Sequence, residues 1–183
     1  MHHIYHTEGI ILSSRNFGEA EKYFSIFTKD LGMITASASG VRKMSSKLRF
    51  ILQDFGYLNF DLVRGKDFWR LTSASKTGEL ENLCKRPEVF AVVSNISRLL
   101  KRLLPGEDAN PALFADLVRG LSILETAASR EEIQNAEVIT VLRILANLGY
   151  IGGDKINDLI SQISTKRIEI LSFINQTLKE THL

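Results

Sequence analysis

The sequence predicts an α+β protein, with a five-stranded β-barrel over residues 1–79 and an all-α helical domain over residues 80–183. Three observations predict it. Short runs of alternating apolar and polar residues, the mark of half-buried strands, fill the first part of the chain. Near residue 80 the apolar period lengthens to that of amphipathic helices. No repeat or low-complexity linker separates the two parts.

The strands follow from alternation and turn residues. Ile4 to Leu12 reads as the first and runs into the turn signal Asn16–Phe17–Gly18. Tyr23 to Thr28 is β-branched and aromatic, and ends at Lys29–Asp30–Leu31–Gly32. Ile34, Ala36 and Ala38 alternate with Thr35, Ser37 and Ser39, giving one apolar and one polar face. Leu58, Phe60 and Leu62 alternate in the same way with Tyr57, Asn59 and Asp61. Phe68 to Ala74 follows the Arg64–Gly65–Lys66–Asp67 turn. Five short strands so close together point to a closed barrel, because closure removes exposed edges. Ser45–Gln53 leaves space for a short helix, which an OB-fold carries at that position; the strand count does not separate it from an SH3-like barrel.

Helices follow from the longer period and its stops. After Pro87, Val89, Val92, Val93, Ile96, Leu99, Leu100 and Leu103 form one stripe, ended by Pro105–Gly106. Asn110–Pro111 opens a second helix with Leu113, Leu117, Leu121 and Leu124 inward. Ser129 and Glu132 have capping-box spacing before a third, which runs from Glu131 to Leu148. That helix has little polar face and is expected at the centre of the bundle, with Gly149 at its C-terminus. Asp154 to Lys179 makes one or two more.

Composition narrows the function classes. The chain has 183 residues and a formal net charge of +2, too small to name a partner. Its distribution says more: residues 1–80 hold 11 Lys/Arg against 8 Asp/Glu, and residues 81–183 hold 12 against 13. Cys84 is the one cysteine, which excludes an internal disulfide and a multi-cysteine zinc site. No signal-like run opens the chain, and no apolar stretch nears the ~20 residues that cross a bilayer. A cytoplasmic protein is expected, with no membrane partner.

Signatures of catalysis are missing. There is no phosphate-binding glycine loop, nucleophile elbow or His–Glu metal helix. His2, His3 and His6 cluster at the N-terminus, and His182 stands near the other end, but a zinc site normally needs three or four ligands. Lys85 and Arg86 beside Cys84 would favour its thiolate, yet a lone cysteine is more often a packing residue. No enzyme activity, metal or cofactor is expected.

One stretch stands apart. Between Asp30 and Asp54 there is no acid, and Arg42, Lys43, Lys47 and Arg49 fall in that window with Ser45 and Ser46. Lys and Arg neutralise phosphates and release counterions, and Ser hydroxyls and loop amides donate to phosphate oxygens. On charge alone, a phosphate-binding loop and an ordinary solvated loop account equally for this stretch. Single-strand binders add aromatic platforms, and Tyr57, on the outward parity of its strand, is the candidate; Trp69 shares a face with Leu71 and is assigned to the core. Arg98, Lys101 and Arg102, opposite the apolar stripe of their helix, form a second basic face for DNA or an acidic partner, or a plain solvated face.

These residues resemble a known family. Glu8–Gly9–Ile10–Ile11–Leu12, Phe17–Gly18–Glu19–Ala20–Glu21–Lys22, Phe27–Thr28 and Leu31–Gly32 come first. Gly40–Val41–Arg42–Lys43, Ser46–Lys47–Leu48–Arg49, Leu52–Gln53–Asp54–Phe55 and Leu71–Thr72–Ser73–Ala74 follow in order. Together they resemble the N-terminal domain of the bacterial RecO family of recombination and repair proteins. Val141 to Tyr150 resembles that family's central helix and the glycine–aromatic pair after it.

The resemblance implies an OB-fold followed by a helical domain. It implies binding of single- and double-stranded DNA, annealing of complementary strands, and help to RecA in displacing single-strand-binding protein (SSB). The implied partners are RecR and the C-terminal tail of SSB, and the implied place is the bacterial cytoplasm at the nucleoid. Arg42, Lys43, Ser46, Lys47 and Arg49 become the DNA-contacting loop by position. Two departures stand out. Many members place a four-cysteine zinc ribbon after the glycine–aromatic pair, whereas Ile151–Gly152–Gly153–Asp154 follows Tyr150, so no zinc is expected. Asp54 stands where the family tends to have proline. An OB-fold adaptor for RNA or a peptide is the competing expectation.

Overall fold

A computed structural model of the chain describes residues 3–180. It opens with β1 (Ile4–Phe17), β2 (Glu21–Thr28) and β3 (Gly32–Ala38). A short helix, α1 (Leu48–Ile51), precedes β4 (Tyr57–Arg64) and β5 (Trp69–Lys76). The strands close into a barrel in the order β1-β2-β3-β5-β4. Every pair is antiparallel except β3 and β5, which meet in parallel at Ala36–Trp69 and Ser37–Arg70. This order, with a helix between β3 and β4, is that of an OB-fold rather than an SH3-like barrel.

The barrel interior follows the alternation seen in the sequence. Phe24 faces Ala36 across β2 and β3, so a large ring meets a small side chain, and both are fully buried. Gly9 lets β1 come close: a Cβ there would lie 2.9 Å from Ile26 Cγ2 and 3.2 Å from Phe60 Cε2. Leu48 and Ile51 of α1 pack against the core, and Leu52, just after the helix, is part of it. That docking turns Lys47, Arg49 and Phe50 outward.

β1 runs five residues beyond Leu12, where its apolar run ends. A register shift between Ile11 and Ser13 makes Leu12 a bulge. Before the bulge, Gly9 and Ile11 face inward with Thr28 and Ile26 as partners. After it, Ser14 pairs with the core residue Phe24, so Ser13, Arg15 and Phe17 point out. One extra residue reverses the parity of the strand.

Helices α2 (Pro87–Leu103), α3 (Pro111–Thr126), α4 (Arg130–Asn147), α5 (Gly153–Ser161) and α6 (Ile163–Glu180) follow. Backbone contacts group the chain into two units, Met1–Asn82 with Ser97–Pro111, and Leu83–Ile96 with Ala112–Leu183. The change of period near residue 80 gives no sign that Ser97–Pro111 returns to the barrel unit. Within that unit Met33 N–H donates to Gly106 O at 3.0 Å, and Trp69 Nε1 donates to Glu107 Oε1 at 3.1 Å. Arg64 pairs with the same carboxylate.

In the second unit α4 packs against α5 and α6, as its narrow polar face predicts. Asp116 of α3 accepts from Arg143 at 3.1 Å and from Asn147 at 2.8 Å, which ties α3 to α4. Ser129 caps α4 by accepting from Glu132 N–H at 3.1 Å, and Glu132 accepts from Ala128 N–H at 2.7 Å. Gly149 takes a φ of 81° after the helix, the left-handed position expected of it. No helix among the described residues is long and apolar enough to cross a membrane.

Candidate nucleic-acid interface

The basic loop leaves β3 through Gly40, whose φ of 71° turns the chain sharply. Val41 is buried and pins the loop to the barrel. Arg42 ties it to the β1–β2 turn, donating from Nη1 to Gly18 O at 2.6 Å and from its N–H to Ala20 O at 3.3 Å. Successive backbone bonds, Lys43 N–H to Gly40 O and Ser46 N–H to Lys43 O, fold the rest into turns that lead into α1. Arg42, Lys43, Lys47 and Arg49 are all exposed, and Ser46 is half-buried.

An open groove of about 640 Å³ lies between this loop, α1 and the end of the β1–β2 hairpin. Arg42 and Arg49 line it from the loop side, and Lys22 from β2. Phe50 is 73% exposed and also lines it, with the Arg49 guanidinium 5.9 Å from its ring centre. Asn16 and Gln53 supply amides. Three cations, an open ring and two amides provide for a phosphate, a base face and a base edge. Lys43 and Lys47 extend the positive charge along the loop outside the lining of the groove.

Tyr57 corrects an expectation. It has the outward parity of β4, but it is buried, at 8% exposure, and its hydroxyl donates to Glu8 Oε2 at 2.7 Å. Burial pushes the phenol well above its usual value, and the hydrogen bond to Glu8 and the charges of Glu8 and Glu79 push the same way. A covered ring offers no stacking face. Alternation tells which side of a strand a residue takes, and it is silent on what lies over that side. Trp69, by contrast, is in the core at 4% exposure, as its face predicts.

The second basic cluster is exposed throughout, and Lys101 Nζ donates to Ser13 Oγ of β1 at 3.1 Å. The bulge brings together a group of side chains that the sequence pattern does not single out. Tyr23 touches Phe17 and Phe68 edge to face, each at 5.0 Å between ring centres. The Arg15 guanidinium lies 5.3 Å over the Tyr23 ring. Tyr23 was legible as a strand residue; Arg15 and Phe17 were not, because the apolar run of β1 ends at Leu12 and the bulge there sets the side of the residues that follow.

Cys84 is exposed rather than packed in the core, which corrects the expectation from its small apolar side chain. His3 packs edge to face on Tyr5, and His6 Nδ1 meets Asp61 Oδ1 at 2.6 Å. His2 and His182 lie outside the described residues. Among the described residues, no three His, Cys, Asp or Glu gather as metal ligands. Arg86 donates to the carbonyls of Leu124 and Ala127 at the end of α3.

Two family models match the chain. Residues 1–78 match the N-terminal domain of recombination protein O, and residues 85–151 match its C-terminal domain. The chain belongs to the RecO family. DNA repair protein RecO of Dehalococcoides mccartyi is 33% identical over 129 residues, covering 70% of this chain and 51% of the relative. The protein of the same name from Heliobacterium modesticaldum is 29% identical over 147 residues, covering 80% and 52%. The chain thus spans about half the length of the curated relatives it matches. The basic groove and the ring cluster both fall within the RecO N-terminal match.

Proposed function

We propose that the chain binds single- and double-stranded DNA through its barrel and acts in DNA repair and recombination. The observation that carries this reading is the groove in which Lys22, Arg42 and Arg49 surround the exposed ring of Phe50. Membership of the RecO family and the name its relatives carry support it. On this reading the protein holds strands by their phosphates and anneals complementary ones. It assists RecA on SSB-coated DNA, with RecR and the SSB tail as partners in the bacterial cytoplasm at the nucleoid. It works as a binding protein without a catalytic site of its own.

A salt titration of binding to a labelled single strand tests the reading. Each phosphate neutralised adds about 0.7 to the slope of log affinity against log salt, so binding by loop and groove together gives a steep decline. Annealing of complementary strands coated with SSB is the second arm. Undetectable DNA binding at low salt overturns the proposal, and a preference for RNA favours an adaptor.

A further inference from the structure

A row of side chains crosses the outer wall of the barrel, on the opposite side of the β1–β2 hairpin from the basic groove. Strand register places Arg15 beside Tyr23, Tyr23 beside Ser37, and Ser37 beside Arg70. Phe17, at the end of β1, and Phe68, in the β4–β5 connection, flank Tyr23 from two sides. Phe17 is 55% exposed and Phe68 is 41% exposed. We propose that this three-ring cluster is a stacking platform for the unpaired bases of single-stranded DNA, with Arg15 and Arg70 set to meet the phosphates.

The position supports it. OB-folds bind oligonucleotides on the face of strands 2 and 3 and on the connections between strands 1 and 2 and between strands 4 and 5. Tyr23 sits on that face, Phe17 enters the first connection and Phe68 lies in the second. The chemistry agrees. Bases stack on aromatic side chains whatever their sequence, and flanking cations hold the backbone between them. Ser13, Ser25 and Thr35 line a shallow hollow of about 240 Å³ beside Tyr23, and Lys101 closes it. Glu21 shares the face toward the hairpin tip, where its carboxylate accepts from Ser39 Oγ at 2.9 Å. Edge-to-face packing at 5.0 Å holds the rings as one unit while leaving Phe17 and Phe68 open. A duplex keeps its base faces stacked inside, so this platform selects single strands.

The inference rests on the barrel being a DNA-binding module, and the test separates the two. The full chain is titrated with a fluorescent oligothymidylate and with an abasic oligonucleotide of equal length. The unaltered chain is expected to bind oligothymidylate at least tenfold more tightly. Phe17→Ala with Phe68→Ala should weaken oligothymidylate binding roughly tenfold, toward the abasic level, with the salt slope unchanged. Phe17→Leu with Phe68→Leu, which keeps apolar cover, should behave alike, and equal melting temperatures show that the fold is intact. Equal binding of both oligonucleotides by the unaltered chain overturns the platform, as does full oligothymidylate affinity in either variant. In both outcomes a steep salt slope that falls with Arg42→Ala and Lys43→Ala would leave the barrel a DNA binder. Absence of any DNA binding by the unaltered chain overturns both readings.

Discussion

The hydroxyl of Tyr57 donates to Glu8 Oε2 at 2.7 Å, joining β4 to β1 across the barrel wall. Lys29 stands 3.9 Å from the same carboxylate oxygen. Tyr57→Phe leaves the ring in place and removes the donor, while Glu8 keeps partial access to water. The expected loss is about 0.5–1.5 kcal/mol in urea denaturation, with DNA affinity unchanged. A fall in DNA affinity at equal stability would restore Tyr57 as a contact residue.

The same pair predicts a response to alkali. The folded phenol is held above its unfolded value of about 10 by burial first and Glu8 second. Below that value both states keep the proton, and the Tyr57 contribution is fully present. As pH rises past it, the unfolded state loses its proton first, so folding stability falls. Denaturation midpoints at pH 8 and pH 11 should show a smaller decline in Tyr57→Phe than in the unaltered chain.

Arg42 and Arg49 line the groove, whereas Lys47 lies outside its lining. Arg42→Ala with Arg49→Ala should weaken single-strand binding for all sequences alike. The salt slope should fall by about 1.4, the share of two phosphates that the variant no longer neutralises. Lys47→Ala should have the smaller effect. Arg42→Ala also removes the side-chain bond to Gly18 O and leaves only the backbone bond to Ala20 O, so heat denaturation of each variant is measured alongside.

Gly120 of α3 faces Thr140 of α4 so closely that an added Cβ would collide with the Thr140 side chain. Thr140 is 1% exposed, and its hydroxyl donates to Ala136 O at 2.7 Å. Gly120→Ala should destabilise by about 1–3 kcal/mol despite the better helix propensity of alanine. Thr140→Ala in the same chain makes space and should recover most of the loss. A double-mutant cycle without coupling would show that the helices do not meet here.

Ser129 Oγ accepts from the Glu132 N–H, and Glu132 reaches back to the Ala128 N–H, at the start of α4. Ser129→Ala should cost about 1 kcal/mol, read as a lower denaturation midpoint, and Ser129→Asp should keep most of it.

Much of the architecture was legible because it depends on period. Two-residue alternation marked the strands, with Ile34, Phe60 and Trp69 inside, and Ser129 with Glu132 marked the start of α4. The Arg42–Arg49 cluster was legible as charge. Its partners in the groove, Lys22 and Phe50, come from β2 and α1, and only folding sets them beside it.

By itself, then, the sequence determined the barrel followed by helices, the capping of α4 and the basic loop. These rest on local spacing and on chemistry carried within a few residues. Tertiary structure alone decided three other matters: the cover over Tyr57, the return of Ser97–Pro111 to the barrel unit, and the outer row of Arg15, Phe17 and Tyr23. Burial is a property of what packs on a residue, and side depends on register. A single bulged residue, Leu12, reversed the parity of β1 and put Arg15 and Phe17 on the outer wall.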